Sequence, residues 1–256
     1  MGCTDLRGSA PPFREKKRGM EMETDMHTAG TVPAIGPRIA VVGIGGAGCN
    51  IINDVHWADG SMDTVAINTD KHSLRQTNAD RKVCLCRDVT KGEGAKGDIL
   101  LGERCGKAHA DEIREALAGH DTVFIIAGMG GGTGTGVAPV VAAVAHSLNM
   151  ITFVIAVKPF SFEAQRMKAA KEGISRISAI CPMTVVIDND RIAANMPDMT
   201  MEDAFRTVNN SVVRFIIEQK KKLADAMADQ LLSIDAMIEE GGEPHSLSAF
   251  ADITAS

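Results

Sequence analysis

Residues 130–136 read Gly130-Gly131-Gly132-Thr133-Gly134-Thr135-Gly136. Five glycines in seven residues are costly, because glycine loses more backbone freedom on folding than any other residue. A chain keeps such a stretch where its backbone must wrap something closely. Thr133 and Thr135 add hydroxyl donors to the backbone N–H groups, and that mixture suits a cluster of phosphate oxygens. The stretch follows an apolar run, Val123–Ala127, and leads into a helical pattern with Pro139 near its first turn. No Lys-Ser/Thr pair follows at the required place, so it is not a P-loop.

Upstream lies a second glycine stretch, Gly43-Ile44-Gly45-Gly46-Ala47-Gly48-Cys49-Asn50, again between an apolar run and a helical pattern. It fits the dinucleotide pattern G-x-G-x-x-G, and Asp70 stands about 20 residues further on. Alone, this would permit an NAD-dependent oxidoreductase of the Rossmann type. The 130–136 stretch, which that fold does not need, argues against it.

Around these two stretches, apolar runs at Ile39–Val42, Thr64–Ile67, Val83–Cys86, Thr122–Ala127, Ile151–Val157 and Thr184–Ile187 read as strands. They alternate with helical patterns at Cys49–Ala58, Ile99–Ala118, Gly136–Leu148 and Glu163–Ile180. Strands apolar throughout, alternating with helices, predict an α/β fold: a mostly parallel sheet covered by helices on both faces. Ligands of such folds sit at the carboxyl ends of the strands.

Composition narrows the function. The 256 residues are 45% hydrophobic and carry a formal charge of −6, which offers no broad basic surface for nucleic acid. Aromatic residues are 4%, without tyrosine, so stacking platforms for single strands are not expected. The longest apolar runs fall far short of the ~20 residues of a membrane span, so no transmembrane segment is expected. Charged residues stand where a signal peptide needs its apolar stretch, which favours a cytoplasmic protein. Six scattered cysteines have no metal-ligand spacing and read as free thiols.

At Ala127-Gly-Met-Gly-Gly-Gly-Thr-Gly-Thr-Gly-Val-Ala-Pro139 the chain resembles the tubulin/FtsZ superfamily of GTPases, and FtsZ in particular. The resemblance continues through Asn68-Thr69-Asp70, Thr90-Lys-Gly-Glu-Gly-Ala-Lys-Gly97, Lys158-Pro-Phe-Ser-Phe-Glu163, Asn189-Asp190, Asp203-Ala-Phe205 and Asn209-Asn210. It implies a site for GTP or GDP, with Mg²⁺ accompanying the triphosphate. Gly45, Gly46, Ala47, Gly48, Cys49 and Asn50, with Gly130–Gly136 (Gly130, Gly131, Gly132, Thr133, Gly134, Thr135, Gly136), would hold the phosphates. Asn68 and Asp70 belong to the same site, and Gly94 and Ala95 would sense the γ-phosphate end. Glu163 and Arg166 would contact ribose and phosphate, in a segment one residue shorter than in FtsZ. Asn189 and Asn210 would face the guanine; FtsZ usually has Asp where Asn210 stands, whereas tubulins resemble this chain in having Asn.

The resemblance stops after about Val213. FtsZ follows its long central helix with a loop, N-x-D-x-x-D, which enters the next subunit's site and orients the attacking water. Nothing from Val213 to Ser256 matches it, nor is there a match to the second domain that FtsZ carries. Instead, apolar residues recur at helical spacing from Phe205 to Ile238, predicting a helix over Met201–Glu240 that either breaks near Lys220-Lys221-Lys222 or projects toward a partner. Association through Leu223, Met227, Leu231 and Ile234 is expected, with itself or with FtsZ-like subunits. The chain thus divides into a disordered tail (1–37), a GTP-binding domain (38–219), a helical extension (220–240) and a C-terminal tail (241–256). The function expected is a divergent FtsZ-like switch or scaffold, lacking the second domain, with weak or partner-dependent hydrolysis. The alternative is a self-polymerising GTPase using Asp225 or Asp229 for the missing aspartates. No catalytic residue is assigned.

Overall fold

A computed structural model of the chain describes residues 36–194 and 200–239. The predicted tails, apart from 36 and 37, lie outside these residues. Among the described residues six strands form one parallel sheet in the order β3-β2-β1-β4-β5-β6. They are β1 (Ile39–Ile44), β2 (Asp63–Asn68), β3 (Arg81–Cys84), β4 (Thr122–Gly128), β5 (Ile151–Lys158) and β6 (Thr184–Asp188). The order reverses between β1 and β4, whose register pairs Ala40 with Val123 and Ile44 with Ala127. Such a reversal opens a crevice at the carboxyl ends of the two strands, because the helices that follow them leave on opposite faces.

Side chains alternate across the strands as the period of two requires. Ala40, Val42 and Ile44 of β1, with Val123, Ile125 and Ala127 of β4, point to one face. There they meet α4 (Ile99–Ala108), α5 (Ala110–Leu117), α6 (Gly132–Ser147) and α7 (Ala164–Ile180) through Cys105, Ile113, Val137, Val141, Ala170 and Ile177. Ile39 and Val41, with Phe124 and Ile126, point to the other. They pack on Ile51, Ile52 and Val55 of α1 (Gly45–Ala58) and on Val208, Val212 and Ile216 of α9 (Met201–Glu239). Burial on both faces is why β1 and β4 read as continuous apolar runs.

The expected fold class holds, with local differences. The predicted helix over 99–118 is two helices, since His109 leaves helical geometry at φ −111° and its Nε2 accepts the Cys86 N–H at 2.9 Å. The third strand lies two residues earlier than expected, because Cys86 turns into the left-handed region (φ 46°) and opens α3 (Arg87–Thr90). Two further short helices, α2 (Lys71–Gln76) and α8 (Asn189–Ala194), were not legible from periodicity.

The long helix does not break at the lysines. α9 runs for 39 residues, about 58 Å at 1.5 Å per residue. Lys220 holds it to the body by donating to Asp59 Oδ2 at 2.6 Å, at the far end of α1. Beyond Leu223, which packs partly against the core, the described side chains are half or fully exposed.

Helices α4 and α6 cross so closely that a Cβ on Gly136 would lie 2.4 Å from the Ile99 carbonyl oxygen. Gly136→Ala is therefore expected to cost about 1–3 kcal/mol of stability. A lower urea midpoint with an unchanged slope would show it; an unchanged midpoint would mean that the crossing relaxes freely.

Candidate functional site

Both glycine stretches are themselves first turns of helices. α1 starts at Gly45, directly after β1, and α6 starts at Gly132. The first four N–H groups of a helix lack internal partners and need a cap, water or a ligand. Side chains cap α2, where Asp70 accepts from His72 N and Ser73 N, and α4, where Asp98 accepts from Leu101 N; α3, α5 and α7 have no side-chain cap. Neither α1 nor α6 has a side-chain cap, their N-cap positions being Ile44 and Gly131. The two bare termini meet, since a Cβ on Gly45 (φ 70°) would stand 3.1 Å from the Gly134 nitrogen. Two uncapped helix N-termini side by side at the sheet's reversal point form a place for an anion.

The glycine density has a cause that the sequence did not show. A Cβ on Gly134 would sit 2.1 Å from the Gly128 carbonyl oxygen, and one on Gly132 would sit 2.8 Å from that of Asp98. Backbone packing within the protein, more than wrapping of a ligand, thus demands these glycines. Gly46 and Gly131 are different. A Cβ on Gly46 would meet nothing within 4 Å, and one on Gly131 only the Arg166 guanidinium at 3.9 Å. These two open onto the cleft.

The threonines also divide. Thr135 is 1% exposed and its hydroxyl oxygen accepts the Gly130 N–H at 2.7 Å, so it braces the turn from inside and does not face a ligand as expected. Thr133 is half-buried and its hydroxyl lies 2.7 Å from that of Thr69, after β2. Thr69 in turn receives the segment 90–97: its carbonyl accepts from Gly94 N at 3.3 Å and from Thr90 Oγ1 at 3.2 Å. The structure so brings Gly94 against Thr69 and Ala95 against Gly132. Ala95, Asn68 and Cys49 are buried side chains that support the cleft without lining it. Burial raises the Cys49 thiol to about 11, which keeps it neutral and inert. Gly48 lets α1 lie against the Ile126 carbonyl of β4, while Ala47 and Asn50 are exposed.

On the far side of the cleft, Arg166 pairs with Glu163 in the first turn of α7, its guanidinium over Gly131 despite the shorter segment. Asn189 opens α8 at the end of β6. It is 3% exposed and its amide oxygen has no hydrogen-bond partner. A buried acceptor left unpaired is costly and suits a ligand that brings an N–H donor. Asn210 is exposed on α9, next to Asn209, whose Nδ2 donates to Asp54 Oδ2 of α1 at 2.8 Å. Below Asn189, the ion pair with Lys158 holds the Asp188 carboxyl under its usual range.

An aromatic group escaped the sequence reading as a unit. Phe160 stacks on Phe162 and meets Phe205 of α9 edge-on, at ring distances of 5.3 and 5.6 Å. Phe162 and Phe205 remain 71% and 49% exposed, offering a flat apolar wall. The two-residue spacing of Phe160 and Phe162 was a legible signal for a shared face. Among the described residues no group of three or more His, Cys, Asp or Glu could hold a metal ion. No described helix is long and apolar enough to cross a membrane.

Residues 38–197 match the Tubulin/FtsZ family, GTPase domain. Cell division protein FtsZ 2 of Methanocaldococcus jannaschii is 39% identical over 200 residues, covering 77% of this chain and 52% of that protein. Cell division protein FtsZ of Neisseria gonorrhoeae is 36% identical, covering 75% and 48%. Among solved structures, the empty FtsZ dimer of M. jannaschii superposes with a TM-score of 0.70 at 37% identity, covering 73% of this chain and 55% of that one. The GTPγS-bound protofilament of CetZ2 from Haloferax volcanii gives 0.65 at 26%, covering 73% and 58%. The chain spans about half the length of the curated relatives it matches.

The two threonines are expected to respond unequally. Thr135→Val leaves the Gly130 N–H buried and unpaired and should cost about 1–3 kcal/mol in the absence of any ligand. Thr133→Val, at a half-buried site, should cost well under half as much in the same urea titration. Equal losses would contradict this division of labour.

Proposed function

The chain belongs to the Tubulin/FtsZ family, and on that premise we propose that it binds GTP and GDP in this cleft. We infer that it acts as a cytoplasmic cell-division or cytoskeletal switch or scaffold whose GTP hydrolysis is weak or waits for a partner. The observation that carries the nucleotide reading is the pair of adjacent, uncapped helix N-termini. Backbone N–H groups of Gly46–Asn50 and Gly131–Gly134 would donate to phosphate oxygens, each helix adding favourable partial charge. Gly94, held at φ 82° against Thr69, would close the cleft at the terminal phosphate. Arg166 and Glu163 would take phosphate and ribose. The unpaired Asn189 oxygen fits the N–H edge of guanine, with Asn210 as a second contact and the phenylalanine wall beside the base. Mg²⁺ would arrive on the phosphates and keep most of its water, as this ion usually does.

Binding phosphate is separate from splitting it. Hydrolysis needs a positioned water and charge stabilisation by pre-organised groups. α9 runs alongside α1, touching it at Asn209–Asp54 and again at Lys220–Asp59, nearer the end of α1 away from the cleft. Asp229 therefore lies about 30 Å along the helix beyond Asn209. Its carboxylate, like that of Asp225, is out of reach of its own cleft. This distance supports weak turnover by the isolated chain. It also gives the second reading its form: a polymerising GTPase in which these aspartates serve a neighbouring copy.

GTP turnover per molecule, measured across a wide range of protein concentration, separates the two. Flat, near-zero turnover with saturable GTP binding is expected. Turnover rising steeply with concentration would establish the polymerising enzyme instead. Thr133→Trp should abolish GTP binding, and excess NAD should not displace bound GTP; unchanged affinity in the variant would overturn the nucleotide reading.

A further inference from the structure

The chain is acidic overall, yet one border of the cleft is cationic. Lys71 and Arg75 stand on α2, Lys82 on the edge strand β3, and Arg87 at the start of α3. These elements are tied together: Lys82 Nζ donates to the Arg75 carbonyl at 3.3 Å, and Lys71 N donates to the Gly92 carbonyl at 2.9 Å. Through Gly94 and Thr69 the same segment reaches Thr133 of the α6 turn. Arg75, Lys82 and Arg87 are exposed. Among the described residues none of the four cations has a carboxylate within ion-pair distance, whereas their neighbours Arg81 and Lys96 pair with Glu115 and Glu93.

Of the nearby acids, Asp70 is occupied in capping α2, Glu93 pairs with Lys96, Glu112 with His109, Asp80 accepts from Thr64, and Asp88 stands exposed on α3. The cations repel one another: Arg75, and then Arg87, make the Lys71 ammonium more acidic than a free lysine. A cluster of like charges without partners costs stability, and here it borders a phosphate-shaped site.

We propose that Lys71, Arg75, Lys82 and Arg87 form a steering surface that draws the polyphosphate of a nucleoside triphosphate toward the cleft. The surface acts on the rate of capture without holding the bound ligand. This rests on the nucleotide reading above. Its physical basis is that a one-sign patch beside a low-dielectric cleft focuses field lines and raises association rates, an effect that salt removes. Dissociation, governed by contacts inside the cleft, is left alone. Because the attraction scales with ligand charge, GTP gains more than GDP.

The test is stopped-flow binding of N-methylanthraniloyl-GTP and -GDP to the full chain and to Arg75→Gln/Lys82→Gln/Arg87→Gln. At an ionic strength of about 0.02 M the association rate should fall roughly three- to tenfold in the triple variant. At about 0.3 M the difference should shrink to less than about twofold. Dissociation should change little at either salt, the loss should be larger for the triphosphate, and the nucleotide-free variant should melt no lower than the parent. Arg75→Glu alone, judged folded by circular dichroism, should shift association in the same direction. An unchanged association rate at low salt, or a loss confined to dissociation, overturns the steering role while leaving the nucleotide site intact. No saturable binding to either protein overturns both.

Discussion

The close approach of backbone to backbone at the first turn of α6 is the constraint on which the site depends. Gly134 touches the last residue of β4, Gly132 touches Asp98 and Ala95, and Gly136 lies on α4. A single added methyl group at any of them would drive the turn away from its neighbours. That packing fixes where the free N–H groups point, so that the terminus is held ready before any ligand arrives. Rigid placement of this kind lowers the ordering cost of binding.

The same turn shows how stability and function are divided among adjacent residues. Thr135 and the packed glycines stabilise the turn from beneath, while Gly131, Thr133 and Gly46 leave it open above. An uncapped helix terminus, an unpaired Asn189 oxygen and exposed phenylalanines are each unfavourable in a free protein. Under the nucleotide reading proposed above, a ligand would supply what the chain omits at each of them.

Strand order alone would not have identified the family. The order β3-β2-β1-β4-β5-β6 is also that of dinucleotide-binding folds, and the first glycine stretch fits their fingerprint. What separates the two is the second stretch. Asp70, which would grip a ribose in a dinucleotide site, is spent on the N-terminus of α2. Position in the sequence was a poor guide to that carboxylate's task because capping and ribose binding ask for the same side chain.

Much of this was legible in the residues. Apolar strands and alternating helices determined the layered parallel sheet, since continuous apolar runs are stable only when both faces are covered. Residues 130–136 pointed to the family, and unbroken periodicity from Phe205 onward determined a long helix. Tertiary structure alone decided which glycines are packed against the protein and which stand open, because a missing Cβ looks the same in sequence whatever occupies its place. It alone showed that Thr135 turns inward, that the Asn189 amide oxygen is left without a hydrogen-bond partner, and that α9 carries Asp225 and Asp229 on past its contact with the end of α1. Each of these depends on distances between segments remote along the chain, which no local pattern of residues encodes.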